Sequence, residues 1–426
     1  MLQKLPNKPR LKKPRLNKPI MKRLAETLGA VVARREAPGG AAILFSGQDI
    51  VWSGAVGVRE TPDKPLLVSS KARVASISKV ATALTLLKLV EADRIDLDQD
   101  ISRHLGFALR HPAFPDSPIT PRMILCHTAG IRDGENYRGV VGETLEGFFR
   151  PGGQNWNQGR HWADLPQPFG YFTYSNLAMG LLAQACEHAG GQRFDQLAQK
   201  LVFTPLGIKC GFNWSGITDQ AAQEAATLYR RHVDKAGTDG DWQVQVDGAP
   251  AALPRPNLAY ALGLGLQDYQ LGSNGLLFSP QGGLRASVQD LARIGMALSG
   301  VVGLLEPATH AQLLKPHWTY REAHQASPAN GDTSGGAFQG FGLGVHRLIP
   351  GDRCPVIGLT TEMIGHYGEA YGLLAGLWVD PISTRGFAWF ITGSPYDPAP
   401  GTHSGIYRVE EDMMQAAAAD LGLVAA

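Results

Sequence analysis

One segment constrains the fold of this 426-residue chain most, because it combines a small-residue turn with a long amphipathic helix. This segment is residues 73–94, RVASISKVATALTLLKLVEADR. Apolar residues recur three and four positions apart, which is the period of one helix face. They are Val80, Ala83, Leu84, Leu87 and Val90. Ser76 and Lys79 lie at the start of the segment and share one face of a helix. The chain therefore has to pack a helix that carries a serine and a lysine at its N-terminal end.

This S-x-x-K pair is a candidate for nucleophilic chemistry. A serine hydroxyl is a weak nucleophile until a neighbouring base takes its proton. A desolvated lysine beside it has a lowered pKa and can accept or relay that proton. The first turn of a helix also offers free backbone N–H groups that can hold an oxyanion. The pair alone is equally compatible with a solvated serine and lysine on an exposed turn, so other segments have to decide.

The composition allows a large core and argues against several classes of protein. With 44% hydrophobic residues, the chain has material for about two or three domains, or for one discontinuous domain with a large insertion. It contains no run of about eighteen apolar residues, so we expect no transmembrane segment. The four cysteines are far apart and form no C-x-x-C pair, which argues against a zinc site or a disulfide scaffold and favours buried thiols.

Residues 1–23 form a basic tail with nine Lys or Arg, four Pro and no acidic residue. Because such a composition cannot bury a core, we expect this tail to be disordered. Weak contact with acidic lipid or nucleic acid is the alternative to a plain solvated tail. The other residues carry 31 Lys or Arg against 38 Asp or Glu, so we expect no nucleic-acid partner for the body. No signal peptide is recognisable, which makes the cytoplasm the default location.

Strand-like runs occur near both ends of the chain, and helical patterns lie between them. Residues 41–46 and 50–57, for example, are predicted to be two strands joined by a short turn. Terminal strands that pair with each other would form one discontinuous α/β domain from residues 24–110 and 339–426. A mostly helical insertion domain at residues 111–338 would interrupt it. We therefore expect an α/β (α+β) fold.

The middle of the chain alternates helical patterns with long polar stretches. Ser287 is expected to cap a helix whose first turn contains Asp290. Residues 131–170 and 213–258 lack clear periodicity, and we expect long, partly ordered loops there that shape a pocket. Residues 318–338 are expected to form a flexible surface loop.

Two short motifs add candidate site residues. Tyr174 and Asn176 form a Y-x-N motif at the mouth of a predicted helix. A tyrosine with a lowered pKa can act as a general base, and an asparagine amide can orient a lysine or a substrate carbonyl. A buried tyrosine beside a capping asparagine is the structural alternative. His366 and Gly368 form an H-x-G motif in a strand-like run, whose edge could supply a backbone N–H to an oxyanion hole.

In this order, S-x-x-K, Y-x-N and H-x-G resemble the motifs of the serine β-lactamase and penicillin-binding-protein superfamily. The similarity is to the class C type, which is shared by DD-peptidases, D-aminopeptidases and class-C-like carboxylesterases. Connecting phrases such as ITPRMILCHTAGI, FTYSN, TPLGI and GGLRASVQDLAR are also similar, and the resemblance covers roughly residues 30–420. It implies the β-lactamase/transpeptidase-like fold, in which an antiparallel sheet is flanked by helices.

The resemblance also implies a role for each residue of the first two motifs. Ser76 is expected to be the nucleophile that forms an acyl-enzyme, with Lys79 as its proton partner. Tyr174 is similar in position to the tyrosine that takes the serine proton and returns it to the leaving group. Asn176 would hold Lys79 or a substrate amide.

The third motif departs from the β-lactamase pattern. His366 stands where β-lactamases carry the lysine of Lys-Thr-Gly, so a permanent cation for a substrate carboxylate is missing. The oxyanion hole would be formed by the backbone N–H groups of Ser76 and Glu369, next to Gly368. If the Glu369 side chain faces the cleft, an anionic rim would repel penicillins and favour neutral esters or substrates with a free amine. The alternative is that this side chain points into solvent.

These departures favour an esterase or an amidase or peptidase that acts on a small-molecule ester, amide or peptide. The alternatives are β-lactamase or DD-carboxypeptidase activity, and a catalytically silent binding or scaffold protein on the same fold. No G-x-S-x-G or H-E-x-x-H motif occurs, which argues against an α/β-hydrolase and a zinc metalloenzyme. We expect no cofactor and no metal, and the resemblance leaves a periplasmic location open.

Overall fold

The computed structural model describes most of the chain. The described residues are 22–60, 63–134, 137, 142–165, 169–233, 240–245, 269–324 and 327–425. All but the last two residues of the predicted disordered tail lie outside these ranges, and Arg23 already begins the first helix. Parts of the predicted loops at 131–170 and 213–258 also lie outside the described residues.

The secondary structure alternates short helices and strands. The α-helices in the described ranges are α1 (Arg23–Ala33), α2 (Ser78–Glu91), α3 (Pro121–Leu125), α4 (Glu146–Phe149), α5 (Leu177–Gly190), α6 (Phe194–Ala198), α7 (Thr204–Leu206), α8 (Asp219–Gln223), α9 (Val288–Leu298), α10 (Pro307–Leu314) and α11 (Arg408–Asp420). The strands are β1 (Gly39–Ser46), β2 (Asp49–Glu60), β3 (Lys64–Pro65), β4 (Ala72–Arg73), β5 (Gly211–Phe212), β6 (Leu228–Arg231), β7 (Gln243–Gln245), β8 (Leu284–Ala286), β9 (Trp318–Thr319), β10 (Gly340–Phe341), β11 (His346–Leu348), β12 (Met363–Ala370), β13 (Leu373–Asp380), β14 (Arg385–Ile391) and β15 (Gly393–Pro395).

The largest sheet joins strands from both ends of the chain. Its order is β3-β2-β1-β14-β13-β12-β11-β10-β9, and neighbouring strands are antiparallel. In the central pair, Gly40 of β1 lies opposite Ile391 of β14, and Phe45 opposite Gly386. Every residue of β1 before Ser46 is buried, because helices cover both faces of the sheet there. The predicted antiparallel sheet is confirmed, and the terminal strands do pair.

Helices pack on both faces of this sheet. On one face, α1 and α11 enclose an apolar cluster that includes Leu28, Met413 and Trp389. On the other face, α9 packs on β1, β13 and β14. This second cluster includes Phe45 and Leu377 and continues into α2 and α5. The sheet and the helical middle of the chain therefore share one apolar core.

The environment of α2 differs from the prediction. An amphipathic helix with one buried face was expected, but α2 is buried on almost every side. It lies between α5 and the end of β12, so its small polar residues, Ser78, Thr82 and Thr85, are also enclosed. Each of these three hydroxyl groups donates a hydrogen bond to a backbone carbonyl. These bonds allow a helix with a serine and a lysine at its start to occupy the core.

Two helix starts carry caps, and the one predicted at Ser287 is confirmed. Ser287 and Asp290 form a reciprocal capping box at the start of α9. Pro121 occupies the first turn of α3, where Thr120 accepts a hydrogen bond from a backbone N–H. These signals are local, because a cap and its partner are only three residues apart.

Two stretches that were predicted to be irregular contain short strands. β9 pairs with β10 at the edge of the large sheet, so this edge begins inside the stretch predicted as a surface loop at 318–338. Within residues 213–258, β6 and β7 form a hairpin, and β15 joins it in parallel. These strands contain two to four residues, which is too short for an alternating pattern to be visible. No helix among the described residues has the length and apolar character needed to cross a membrane.

Candidate active site

Ser76 lies in a tight 3-10 turn, Ala75–Ile77, immediately before α2. Ala75 has a φ of 48°, a left-handed conformation that costs a residue with a side chain about 1–3 kcal/mol. The hydroxyl of Ser78 stabilises this turn, because it donates to the Ala75 carbonyl at 2.6 Å and accepts from the Leu284 N–H at 2.9 Å. These two hydrogen bonds of Ser78 hold the turn in place, and Ser76 within it is half-buried.

Lys79 is fully buried, with 0% of the residue exposed. Its Nζ donates to the Ser76 hydroxyl at 3.0 Å, to Asn176 Oδ1 at 2.7 Å and to the Gln281 carbonyl at 3.0 Å. Burial lowers the pKa of Lys79 from 10.5 to about 7, against the opposing effect of the Asp133 charge. A large share of Lys79 is therefore neutral near pH 7 and able to take a proton from the serine.

Tyr174 also interacts with the Ser76 side chain, which favours the ionised form of the Tyr174 hydroxyl. Its ring centroid is 4.7 Å from the Lys79 ammonium, and the ring stacks on Phe338 at 4.9 Å and contacts His127 at 4.6 Å. Burial raises the pKa of the Tyr174 hydroxyl well above its ordinary value, and the interaction with Ser76 opposes this only partly. The free protein therefore lacks the lowered pKa that a tyrosine acting as a general base would need, and Tyr174 is protonated near pH 7.

His366 faces this cluster from β12 and is almost completely buried, with 1% exposed. Its Nδ1 donates to the Tyr367 carbonyl at 2.7 Å, since a carbonyl can only accept. Burial, and then the charge of Lys79, holds the pKa of His366 well below its ordinary range. The side chain is therefore neutral near pH 7, and this position supplies no permanent cation, as the sequence predicted.

Gly368 allows β12 to approach the turn that holds the serine. A Cβ on Gly368 would lie 2.4 Å from the Val74 carbonyl oxygen, which is too close for any side chain. A glycine at such a position permits close contact between two backbones. This approach is consistent with the predicted oxyanion hole, in which the backbone N–H of Glu369 would complement that of Ser76.

The side chain of Glu369 lies on the opposite face of the strand. Successive residues of a strand point to opposite faces, so Glu369 shares the face of Tyr367, which packs with α11, and not that of His366. Its carboxylate is 3.5 Å from the Arg230 guanidinium and accepts a hydrogen bond from the Tyr407 hydroxyl at 3.4 Å. The condition for an anionic rim beside the serine, a cleft-facing Glu369, is therefore not met.

The sequence analysis missed Asp133, which lies in the long loop at 131–170. One of its carboxylate oxygens accepts from the N–H groups of Asn176 and Leu177 at 2.7 and 2.8 Å, and the other accepts from Asn176 Nδ2 at 2.7 Å. No local pattern links an aspartate to a helix start 43 positions away. The carbonyl of Gln281, which completes the hydrogen bonds of the lysine, was also missed, because backbone acceptors leave no signature in a sequence.

The described residues contain no group of three or more His, Cys, Asp or Glu side chains arranged to hold a metal ion. All four cysteines are free and buried, in agreement with the predicted thiols. At the site, the described residues offer a buried lysine, a protonated tyrosine and a half-buried serine. These groups together suit acyl transfer through a covalent intermediate.

A family model described as Beta-lactamase matches residues 23–406 of the chain. A D-alanyl-D-alanine-carboxypeptidase/endopeptidase, AmpH of Escherichia coli (strain K12), is 28% identical over 178 residues, which are 41% of this chain and 44% of that protein. A D-aminopeptidase of Gluconobacter oxydans (strain 621H) is 30% identical over 197 residues, 44% of this chain and 34% of that enzyme. The chain thus spans less than half the length of these curated relatives.

Solved structures share the fold at low sequence identity. D-amino acid amidase from Ochrobactrum anthropi SV3, complexed with D-phenylalanine, matches with a TM-score of 0.65 and 16% identity over 95% of this chain and 99% of that one. EstCE1, a hydrolase with promiscuous acyltransferase activity, matches with a TM-score of 0.61 and 20% identity over 94% and 98%. These matches show the β-lactamase/transpeptidase-like fold.

Proposed function

Because the chain belongs to the β-lactamase family, we propose that it is a serine hydrolase that forms a covalent acyl-enzyme on Ser76. Its substrates would be small esters, amides or peptides, so the activity would be that of an esterase or of an amidase or peptidase. One observation carries this proposal. A fully buried lysine, Lys79, whose pKa burial lowers to about 7, lies 3.0 Å from the Ser76 hydroxyl.

Acylation would use the three polar groups around the serine in turn. Neutral Lys79 takes the hydroxyl proton while Ser76 Oγ attacks the substrate carbonyl, which forms a C–O bond and an oxyanion. The backbone N–H groups of Ser76 and Glu369 would hold the oxyanion. When the intermediate collapses, the bond to the leaving group breaks, and the leaving group takes a proton from the Tyr174 hydroxyl. Lys79 can then return a proton to Tyr174, whose ring it contacts.

Deacylation would repeat these steps with water. Water attacks the ester carbonyl of the acyl-enzyme, and neutral Lys79 takes its proton. The C–O bond to Ser76 breaks, and the serine oxygen regains a proton from Lys79. No cofactor is needed in either half of this cycle, since the protons lost and gained balance among Ser76, Lys79, Tyr174 and water.

The residues of β12 favour a neutral substrate over one with a carboxylate at this point of the site. His366 is neutral and buried, so it provides no positive charge where β-lactamases carry a lysine. β-Lactam recognition is the competing proposal. It is supported by two relatives, one named as a carboxypeptidase/endopeptidase and the other as Penicillin-binding protein 4* of Bacillus subtilis (strain 168).

Labelling of the intact protein tests the proposal. We would incubate it with a fluorophosphonate and, separately, with a fluorescent penicillin, and then identify the modified peptide by mass spectrometry. A Ser76 adduct with the fluorophosphonate alone would support an esterase or amidase. Labelling by both would support penicillin recognition, and folded protein with no adduct would support a silent scaffold. Ser76→Ala should abolish labelling, whereas Ser299→Ala, at the remote end of α9, should not change it.

A further inference from the structure

We infer that Asp133 is a positioning residue that fixes the orientation of the Asn176 amide and, through it, the hydrogen bonding of Lys79. Asp133 lies outside the three motifs and in a loop that the sequence marked only as polar. The inference rests on the proposed function, because Lys79 is the base of that reaction. It goes further in assigning a role to a residue that contacts neither the serine nor the substrate.

The hydrogen-bonding partners of Asn176 determine which way its amide points. Protonated Lys79 has only donors and a carboxylate has only acceptors, so an asparagine between them has one orientation that satisfies both. In this orientation, Asn176 Oδ1 accepts from Lys79 Nζ at 2.7 Å, and Asn176 Nδ2 donates to Asp133 Oδ2 at 2.7 Å. Without an acceptor at position 133, nothing would favour the orientation in which the Asn176 amide presents its oxygen to Lys79.

The second carboxylate oxygen fixes the segment that carries the asparagine. Asp133 Oδ1 accepts from the backbone N–H groups of Asn176 and Leu177 and from the Ser175 hydroxyl, at 2.7, 2.8 and 3.1 Å. This oxygen therefore caps the start of α5 together with the Ser175 hydroxyl, which accepts from the Ala178 N–H at 3.1 Å, whereas the Asn176 side chain makes no cap. One aspartate thus holds both the helix end and the amide that projects from it.

The charge of Asp133 also acts on the lysine. Burial is the main cause of the lowered pKa of Lys79, and the Asp133 carboxylate raises this pKa. Three other ionisable side chains around Lys79 carry no charge near pH 7. Burial keeps His127 and His366 neutral by lowering their pKa values, and it keeps Tyr174 protonated by raising its pKa.

The surroundings of Asp133 contain one further titratable group with a shifted pKa. The pKa of His161 is lowered, mainly by burial, although the Asp133 charge opposes this. Its Nδ1 accepts from the Gly134 N–H at 3.1 Å and its Nε2 donates to the Asn155 carbonyl at 3.1 Å, as expected for a neutral ring. Since these neighbouring groups are neutral, the Asp133 charge is the one that favours protonated Lys79.

Asp133→Asn is the substitution that separates orientation from capping. Asparagine keeps an oxygen for the backbone N–H groups of α5, but it replaces Oδ2 with an amide NH2 group that faces the amide NH2 group of Asn176. Two donors cannot pair, so the Asn176 amide should turn and present its nitrogen to Lys79. That nitrogen can only pair with neutral lysine. Loss of the Asp133 charge acts in the same direction, and both effects lower the pKa of Lys79.

The experiment compares the pH dependence of kcat/KM for an ester substrate in the wild-type protein and in Asp133→Asn. Below the pKa of Lys79 the base is protonated, so activity rises with pH through this value. We expect the acidic limb to move to lower pH in the variant. The maximum rate should fall by about 10- to 100-fold, the loss that is typical when a residue that orients a functional side chain is removed.

Asp420→Asn is the matched control. Asp420 also accepts hydrogen bonds from backbone N–H groups at a helix start, those of Arg23 and Leu24 in α1, on the far side of the sheet. Its substitution should lower the melting temperature without moving the acidic limb of the kcat/KM profile. An Asp133→Asn protein with a wild-type limb and rate would overturn the inference. So would a loss of activity with an unmoved limb, because that is the result of a merely structural role.

A direct titration makes the inference independent of turnover. The Nζ signal of Lys79 can be followed by NMR in Ser76→Ala protein, with and without Asp133→Asn. A lower pKa in the double variant supports the role of Asp133, even if Ser76 proves not to be the nucleophile. An unchanged pKa overturns it, even if Ser76→Ala is inactive and the proposed function stands.

Discussion

The two faces of β12 place charged side chains in different surroundings, one buried and one exposed. On the face of His366 and Gly368, the strand lies against Lys79, which is fully buried and has a pKa of about 7. On the other face, Glu369 has a side chain that is 47% exposed and forms a loose pair with Arg230 at 3.5 Å. His366 and Glu369 are three residues apart in sequence, but the His366 side chain is buried and the Glu369 side chain is 47% exposed.

This difference determines which charges can do chemistry. In a buried site the charged form of a lysine is disfavoured, so small changes around it shift its protonation strongly. At a hydrated surface, an ion pair contributes only about 0–1 kcal/mol, and salt weakens it further. Changes on the buried face should therefore have large effects on activity, and similar changes on the exposed face should have small ones.

The largest effect is expected for the side chains that contact the serine hydroxyl. Ser76→Ala, Lys79→Ala and Tyr174→Phe should each reduce kcat/KM for an ester substrate by about 10⁴-fold or more. Since the three groups act as one unit, the triple variant should lose little more than a single variant. Multiplicative losses in steady-state assays would instead show that the groups act independently, and an active Ser76→Ala protein would identify a different nucleophile.

Gly368→Ala tests the close approach on the buried face. Its methyl group would meet the Val74 carbonyl at 2.4 Å, so we expect a loss of about 1–3 kcal/mol in the free energy of unfolding. Fluorophosphonate labelling should also slow, because the turn that holds Ser76 has to move. Gly29→Ala in α1, where a methyl group meets nothing within 4 Å, is the control and should add about 0.5–1 kcal/mol. Equal effects in urea unfolding of both variants would contradict the predicted clash.

The pH dependence should show the buried lysine directly. The folded protein holds Lys79 at a pKa of about 7, whereas its ordinary value is 10.5. Between these values the unfolded chain binds more protons, so this group makes stability rise with pH from about 7 to 10.5. The acidic limb of kcat/KM should also have its midpoint near pH 7. Lys79→Met should remove this part of the stability change, and a rate that is flat from pH 5 to 9 would exclude Lys79 as the base.

The smallest effect is expected on the exposed face. Glu369→Gln should change the free energy of unfolding by less than about 0.5 kcal/mol, because its contacts with Arg230 and Tyr407 are long, at 3.5 and 3.4 Å, and its side chain is 47% exposed. Its kcat/KM values should be close to wild type for neutral esters and for substrates with a free amine. A selective loss with amine substrates would show that the carboxylate reaches the substrate and would restore the anionic rim.

Local signals in the sequence predicted the parts of the site that are local in space. Ser76 and Lys79 share a turn of chain, so their spacing alone brings the two side chains together. The contact with Tyr174 and Asn176 is not local and followed only from the ordered resemblance. The alternation along β12 could also have been used, since Glu369 is an odd number of residues from His366 and therefore on the other face.

The rest depended on long-range packing. Enclosure of the site raises the pKa of Tyr174, and no neighbour in the sequence indicates this. Asp133 reaches Asn176 through a loop whose path the sequence does not specify. The edge strands β9 and β10 are two residues long, and they are strands only because the large sheet provides a partner. Each of these features is a consequence of the completed fold.

The pairing of β1 with β14 has a consequence for synthesis. A ribosome releases β1 and the nucleophile turn early, but the central partner of β1 emerges only when most of the chain has been made. Until then β1 exposes an apolar strand edge that other chains could join. Folding should therefore be slow and governed by distant contacts. Truncation before Arg385 should leave an aggregation-prone fragment and no assembled site, although Ser76, Lys79 and Tyr174 would all be present.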